Sequence, residues 1–408
     1  MDQMTRVAAD RAPLPFTEFV ALCAALMALT ALGIDSMLPA LPAIAEALGV
    51  TVANDRQYVI TAFLVGFAIA QLAHGPLSDR FGRRPVLIGA LLFAVAANLA
   101  AAAAESFALL LAARFAGGMA VAGARVVTVA MVRDCFSGRA MARVMSLVFM
   151  VFMAAPVLAP SFGQLVLLVA PWRWIFIGIA IVSAAVLVWF MLRMPETLAP
   201  EDQHPFRFAR LAQGYRTVLG DRCSAGYTLA AALLSGGLFG FINSIQQIME
   251  VVFGRPELLS VIFICVAGLM AVANYSNSRI VMRFGMRLLS HSALAALIVI
   301  AAVHLIVALA GVESLVVFAV LQAMMMACFG LATSNFSAMA MSNMGHIAGT
   351  ASSVQGFVST LGGALIGAGI GQAFDGSTVP LYAGFLICGL IALAIVAVVE
   401  RGRLFRAS

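Results

Sequence analysis

Apolar runs, each about as long as a bilayer crossing, follow one another along the whole chain and are separated by short clusters of polar and turn residues. A hydrocarbon core about 30 Å thick takes about 20 residues of helix. Backbone groups inside it must be bonded within their own segment, and these runs do not alternate, so they are read as helices. The pattern predicts twelve spans, at 17–41, 57–75, 85–104, 107–132, 141–168, 172–193, 223–252, 258–282, 288–310, 313–340, 347–374 and 379–400. The densest interruption in the first half is Gly75-Pro76-Leu77-Ser78-Asp79-Arg80-Phe81-Gly82-Arg83-Arg84-Pro85. Glycine and proline there predict a tight turn that ends one helix and begins the next.

The longest polar stretch, Pro195 to Arg222, mixes Glu, Asp, His and Arg near the middle of the chain. It predicts a linker with a short amphipathic segment, dividing the chain into 1–194, 195–222 and 223–408. An echo supports two halves of six spans: Arg80-Phe81-Gly82-Arg83-Arg84 returns 203 residues later as Arg283-Phe284-Gly285-Met286-Arg287. The second copy lacks the Asp and the Gly-Pro.

Composition turns this pattern into a class. With 63% hydrophobic and 10% charged residues in 408 and a mean hydropathy of +1.04, the chain is too apolar for a soluble domain to cover its own surface. An all-α polytopic membrane protein is expected. A net charge of +6 would suggest nucleic acid in a soluble protein, but placing the charge removes that reading. All 24 basic residues are Arg. Nineteen of them, from Arg6 to Arg406, fall in one alternate set of loops, and only Arg56, Arg173 and Arg255 fall in the other. By the positive-inside rule both termini are expected in the cytoplasm. Trp172 and Trp174 sit where an outer aromatic anchor is expected. The polar residues 1–15 lack the features of a signal peptide, so the first run is expected to stay as a span. The six cysteines imply no disulfide framework. No phosphate loop or metal-ligand spacing occurs and the five histidines do not cluster, so no enzyme, metal or cofactor chemistry is expected, and ATP-driven export is disfavoured.

Charged side chains near the bilayer centre cost about 2.5–3.5 kcal/mol even on insertion scales, which makes each one a functional candidate. Asp35, in Gly33-Ile34-Asp35-Ser36, and Arg114, in Ala113-Arg114-Phe115, lie at matching depths in the first and fourth spans. A facing pair would offset much of the desolvation. Arg125, eleven residues after Arg114, shares its helical face and is expected to reach the inner half of a cavity or to pair with Glu18.

These stretches resemble a known family. The Gly75–Arg84 cluster is similar to the G-x-L-a-D-r-x-G-r-r/k signature of major facilitator superfamily transporters. Ile34-Asp35-Ser36-Met37-Leu38-Pro39-Ala40-Leu41-Pro42, Gln71-Leu72-Ala73-His74-Gly75-Pro76-Leu77-Ser78-Asp79-Arg80, Val132-Arg133-Asp134, Ala155-Pro156-Val157-Leu158-Ala159-Pro160-Ser161-Phe162-Gly163 and Gly349-Thr350-Ala351-Ser352-Ser353 resemble the bicyclomycin/chloramphenicol-resistance (Bcr/CflA) branch of drug:proton antiporters. Two departures stand out. Gly117 replaces the Gln of the R-x-x-Q-G motif after Arg114, and Met27 stands near where some members carry a second acid.

The resemblance implies two six-helix halves that give alternating access to a midplane site. It implies proton-coupled export of small amphipathic or aromatic compounds, antibiotics among them, by a monomer in the bacterial inner membrane, with no nucleic-acid partner. The partners implied are a small-molecule substrate, protons and the lipid bilayer. Asp35 and Arg114 would carry proton coupling. Gly75, Asp79, Arg80, Gly82, Arg83 and Arg84 would form the conformational motif, with Asp79 latching onto the start of the eleventh span near Ile347. Pro156 and Pro160 would kink the fifth span and, with Gly163, bring it against the opposite half. Arg125, Asn243, Gln246, Gln247, Gln322, Met325, Phe329 and Asn335 are the candidate substrate-cavity residues; soft Met and aromatic walls suit broad specificity. The alternative is a transporter of the same fold for a narrow physiological metabolite, by symport. A receptor or scaffold leaves buried Asp35 and Arg114 without a purpose.

Overall fold

The computed structural model describes residues 13–136, 138–199, 201, 208–344 and 347–405. Residues 1–12 of the expected polar N-terminal segment 1–15, and residues 200 and 202–207 of the expected linker, lie outside them. The described chain forms fourteen α-helices: α1 Phe16–Asp35, α2 Leu41–Ala47, α3 Tyr58–Phe81, α4 Arg83–Ala102, α5 Phe107–Cys135, α6 Gly138–Val169, α7 Arg173–Arg193, α8 Phe208–Gly220, α9 Arg222–Gln247, α10 Leu259–Phe284, α11 Met286–Leu309, α12 Leu315–Met341, α13 Ala348–Gln372 and α14 Val379–Val399. Eleven helical stretches among the described residues are long and apolar enough to cross a membrane, and α6 adds the shorter apolar run Leu158–Val169. Large apolar side chains such as Leu168, Val169, Leu192 and Met282 point outward, as lipid requires and water would not tolerate over so wide an area.

Two expectations about helix ends are corrected. The first span does not run unbroken to 41: α1 stops at Asp35, and a 3-10 turn Leu38–Ala40 leads into the short α2. Pro39 has no N–H to offer the Asp35 carbonyl four residues back, and Pro42 repeats the constraint. Conversely, Gly75-Pro76 does not end the second span. Helix α3 passes through Pro76 and continues to Phe81. The turn is Gly82 alone, with φ 95° and ψ 157°, a conformation open in practice only to glycine. Gly285 adopts the same one, φ 82° and ψ 158°, between α10 and α11.

Contacts divide the chain into two compact units, Met1–Thr51 with Ala62–Arg207, and Val52–Thr61 with Phe208–Ser408. Within the first, α1 packs on α5, α6 and α7, and α4 on α5 and α7. Within the second, α9 packs on α12, α13 and α14, and α11 on α12 and α14. Numbered by span, this is one pairing scheme built twice. The first core joins Phe19, Leu22, Leu26, Phe63, Phe67, Leu91, Val127 and Phe190. The amphipathic segment of the linker is the helix α8, whose Val218 and Tyr215 pack on Val354 and Ile347 at the start of α13.

Both units bring their first and fifth spans together through small residues. A Cβ on Gly163 of α6 would lie 1.9 Å from the Ser36 carbonyl oxygen, just past the end of α1. Gly367 of α13, 204 residues on, would meet the Gly240 amide nitrogen of α9 at 2.7 Å. The approach expected of Gly163 is therefore made to the end of α1 in its own unit. Of Pro156 only the helical backbone is described.

Candidate functional site

The end of α1 is where the sequence places its membrane acid, and the helix break shapes what surrounds it. The last carbonyls of a helix have no N–H partner within it. One of them, Gly33 O, accepts a hydrogen bond from Arg114 Nη2 at 2.7 Å. A cation at the C-terminal end of a helix is also favoured by the helix dipole. Asp35 and Arg114 are almost wholly buried, 3% and 2% exposed. The expected Asp35–Arg114 ion pair is not formed: the guanidinium reaches the backbone two residues before the acid, and Asp35 Oδ1 has no hydrogen-bond partner among the described residues.

Aromatic rings complete the surroundings of Arg114, whose Cζ lies 4.4 Å from the Phe63 ring centroid and 5.7 Å from that of Phe176. Cations are attracted to ring faces, more strongly where water is excluded. Phe63 also passes so close to Gly33 that a Cβ there would come within 2.8 Å of the ring. At Gly117, where the family's Gln is missing, the nearest neighbours of a Cβ would be Ala97 and Phe63, at 3.8 and 3.9 Å. Ring faces thus lie beside Arg114 where the resemblance places an amide. The sequence offered no signal for this, since Phe63 and Phe176 are two of 28 phenylalanines.

Arg125 lies on the same helix as Arg114 with its Cζ 5.7 Å from the Phe67 ring. Its expected pairing with Glu18 is corrected. Glu18 instead accepts two hydrogen bonds from Arg193, at 2.7 and 2.8 Å, and one from Trp189 Nε1 at 3.3 Å, because α1 and α7 lie side by side at that end.

The conformational motif is a network around Arg83. Arg83 Nε donates to Asp134 Oδ2 at 2.9 Å and Nη1 donates to Ser78 Oγ at 2.8 Å and to Asp79 Oδ1. The Asp79 carboxylate thus binds Arg83. Glu196, just past α7, accepts from the backbone N–H groups of Arg83 and Arg84 at 2.8 and 3.0 Å. Arg84 in return donates to the Met194 and Met191 carbonyls at 3.0 and 2.9 Å. Each helix end is therefore closed by a side chain of the other, an anion at the N-terminus of α4 and a cation at the C-terminus of α7. Arg80 lies over Phe81, 4.9 Å from its ring centroid, and Gly75 O accepts from Ser78 Oγ at 2.9 Å. Asp134 and Glu196 come from helix ends distant in sequence. Asp134 stands in the Val132-Arg133-Asp134 stretch of the resemblance, whereas Glu196 was marked only by its place in the polar stretch that begins at Pro195.

In the second unit the amides of α9, with Gln322 of α12, divide by role. Gln247 Nε2 donates to Asn54 Oδ1 at 2.9 Å and to Ala53 O at 3.2 Å, and its Oε1 accepts from Gln57. Gln246 donates to Glu250 at 3.1 Å, and Glu250 also accepts from Arg56 at 3.0 Å. Gln247 thus holds the segment 52–61 directly, and Gln246 through Glu250. Asn243 and Gln322, by contrast, are fully buried with neither amide atom partnered among the described residues. Met325 and Phe329 are buried on α12 below Gln322, and Asn335 donates to Asn277 Oδ1 at 2.9 Å and to Leu331 O at 2.8 Å.

Comparison with known proteins bears on the family and the fold. The chain is 32% identical to the uncharacterized MFS-type transporter YdgK of Bacillus subtilis over 82% of its own length and 84% of that protein's. It is 31% identical to a chloramphenicol resistance protein of Pseudomonas aeruginosa, covering 83% and 79% of the two chains. A bicyclomycin resistance protein homolog of Haemophilus influenzae is 32% identical over 64% of this chain and 66% of its own. The crystal structure of the human organic anion transporter MFSD10 (TETRAN) superposes with a TM-score of 0.65 over 95% of this chain and 99% of that one; at 20% identity it speaks for the fold alone. The sequence profile of the Major Facilitator Superfamily matches residues 23–368. The chain, with its twice-built set of six spans, belongs to the Major Facilitator Superfamily of membrane transporters.

Proposed function

We propose that this transporter exports small amphipathic or aromatic compounds, antibiotics among them, in exchange for protons. Asp35 takes up and releases the proton. The observation that carries this reading is a membrane carboxyl, 3% exposed and with no ion pair among the described residues, placed two residues beyond the carbonyl that binds the equally buried Arg114. An unpaired buried charge is costly, and a proton removes it. Protonation of Asp35 changes the charge beside Arg114 and the end of α1, against which α6 is packed through Gly163. That contact offers a route from proton binding to helix movement, and hence to alternating access. The second unit would supply substrate contacts from Asn243, Gln322, Met325, Phe329 and Asn335. The reading places a monomer in the bacterial inner membrane with both termini in the cytoplasm.

The names of the relatives, which speak of bicyclomycin, chloramphenicol and multidrug resistance, support a drug-like substrate. A susceptibility panel in an efflux-deficient bacterial host tests it. Expression should raise tolerance to several chemically unlike compounds, and a protonophore should abolish the gain. An unchanged panel, or a gain that survives the protonophore, would refute the proposal.

A further inference from the structure

One buried ionisable pair lies in the second unit, at the end of α11 remote from the Gly285 turn. His304 is fully buried, and Glu313, from the otherwise exposed turn Ala310–Ser314, is folded inward to 7% side-chain exposure. His304 Nε2 lies 2.6 Å from Glu313 Oε1. The other carboxylate oxygen accepts from Thr378 Oγ1 at the start of α14. The Tyr382 ring of α14 stacks on the imidazole, 3.5 Å between centroids at 25°, and Phe318 of α12 meets it edge-on at 6.0 Å. His304 Nδ1 and the Tyr382 hydroxyl are buried without a hydrogen-bond partner among the described residues.

Burying a carboxylate requires a counter-ion, and removing one partner of a buried pair leaves an uncompensated charge. Here the partner is not arginine but histidine, the side chain whose charge changes in the physiological pH range. Among the described residues the groups facing His304 are Glu313 from the turn, Phe318 from α12 and Tyr382 from α14, with Thr378 behind the Glu313 carboxylate. Of these only Glu313 and the Tyr382 phenol are ionisable. Among the described residues no arginine bonds to Glu313; Arg255 pairs with Glu257, and Asp375 with Ser377.

We propose that His304 and Glu313 form a proton-binding site whose occupancy holds the ends of α11, α12 and α14 together. Its ligand is a proton from the adjoining water. Nε2–H stays on Glu313, and the proton that binds and leaves is the one on Nδ1. Bound, it makes an imidazolium–carboxylate pair. Released to water, it leaves neutral imidazole beside a buried carboxylate, and this end of the unit loosens. The inference does not rest on proton coupling at Asp35, which belongs to the other unit.

The test uses the full chain in lipid nanodiscs. Thermal unfolding is measured at about pH 6 and about pH 8.5 for wild type, His304→Gln, Glu313→Gln and the double variant. The wild type should lose roughly 5 °C in Tm between the two, the single variants should lose that dependence, and the double variant should resemble them. An equal pH dependence in wild type and both singles would overturn the proposal. A second measurement stands if the variants fail to fold. In wild type labelled with 15N-histidine, one buried Nδ1 should change protonation between the two pH values while its Nε2 keeps its proton. An Nδ1 at this site in the same state at both would equally overturn it.

Discussion

The Asp35 carboxyl and the Arg114 guanidinium lie at one depth and still do not bond to each other. Their matching depth was legible because charge inside an apolar run is rare and helical rise is regular. The bond was not, because it depended on where α1 ends, and Pro39 ends it at Asp35. The freed Gly33 carbonyl took the guanidinium. If both residues serve one step, Asp35→Asn and Arg114→Ala should each reduce proton-driven transport at least tenfold. Contributions that act as a unit are not additive, so the double variant should fall no further. Transport assays on membrane-inserted protein of equal abundance would check this; additive losses would separate the two roles. A second residue gives a stability test. Glu400 is partly desolvated, which raises its pKa, but hydrogen bonds from Tyr227 at 2.6 Å and Arg287 at 2.9 Å outweigh this and hold it below the ordinary carboxylate value. A group whose folded pKa is depressed stabilises the fold above its unfolded pKa, and that contribution is lost as pH falls through the folded one. Glu400→Gln should therefore lower Tm at neutral pH and flatten the decline on acidification. An equally steep acid decline in Glu400→Gln would show that the pair contributes nothing.

Proline acts differently in two helices of one unit. Pro39, followed by Pro42, stops α1, whereas Pro76 sits inside α3 and costs only one backbone bond there. The difference is tertiary. Helix α3 beyond Pro76 carries Ser78 and Asp79, and both bind Arg83 across the Gly82 turn. Local propensity sees the proline and not that network, so the end was misread while the turn residue itself, repeated at Gly285, was legible. At positive φ with extended ψ, a side chain costs about 1–3 kcal/mol. Gly285→Ala should lower Tm by several degrees, while Gly268→Ala, whose Cβ would meet nothing within 4 Å, should leave Tm within error. Gly163→Ala should act by displacement instead. Its Cβ would strike the Ser36 backbone, a clash that side-chain rotation cannot relieve, and the expected result is a loss of about 1–3 kcal/mol together with impaired transport. Differential scanning of the purified variants separates these outcomes; equal Tm values for Gly285→Ala and Gly268→Ala would contradict the strain argument.

The molecule as a whole repeats one pairing scheme of six spans, and the repeat was visible in the sequence as the echo around Gly82 and Gly285. Chemistry is not repeated with it. Asp35 precedes Ser36 in the first unit, and the matching place before Gly240 in the second holds Phe239. The amides proposed on α9 and α12 separate in the same way. Gln247 fastens the segment 52–61 directly and Gln246 through Glu250, while Asn243 and Gln322 find no hydrogen-bond partner among the described residues. Helical spacing put the glutamines on one face but could not name what Gln247 meets, because its partners Ala53, Asn54 and Gln57 lie about 190 residues away in sequence, whereas Gln246 bonds Glu250 one turn on.

The central claim is that Asp35 carries the exchanged proton. It is tested most directly in proteoliposomes, with substrate and proton movements recorded together after a pH jump, in wild type and in Asp35→Asn. Wild type should move substrate against its gradient and opposite to the protons. Asp35→Asn should keep downhill substrate exchange and lose both the uphill movement and the linked proton flux. Proton-driven accumulation at the wild-type level in Asp35→Asn, or substrate and protons moving in the same direction in wild type, would contradict the account.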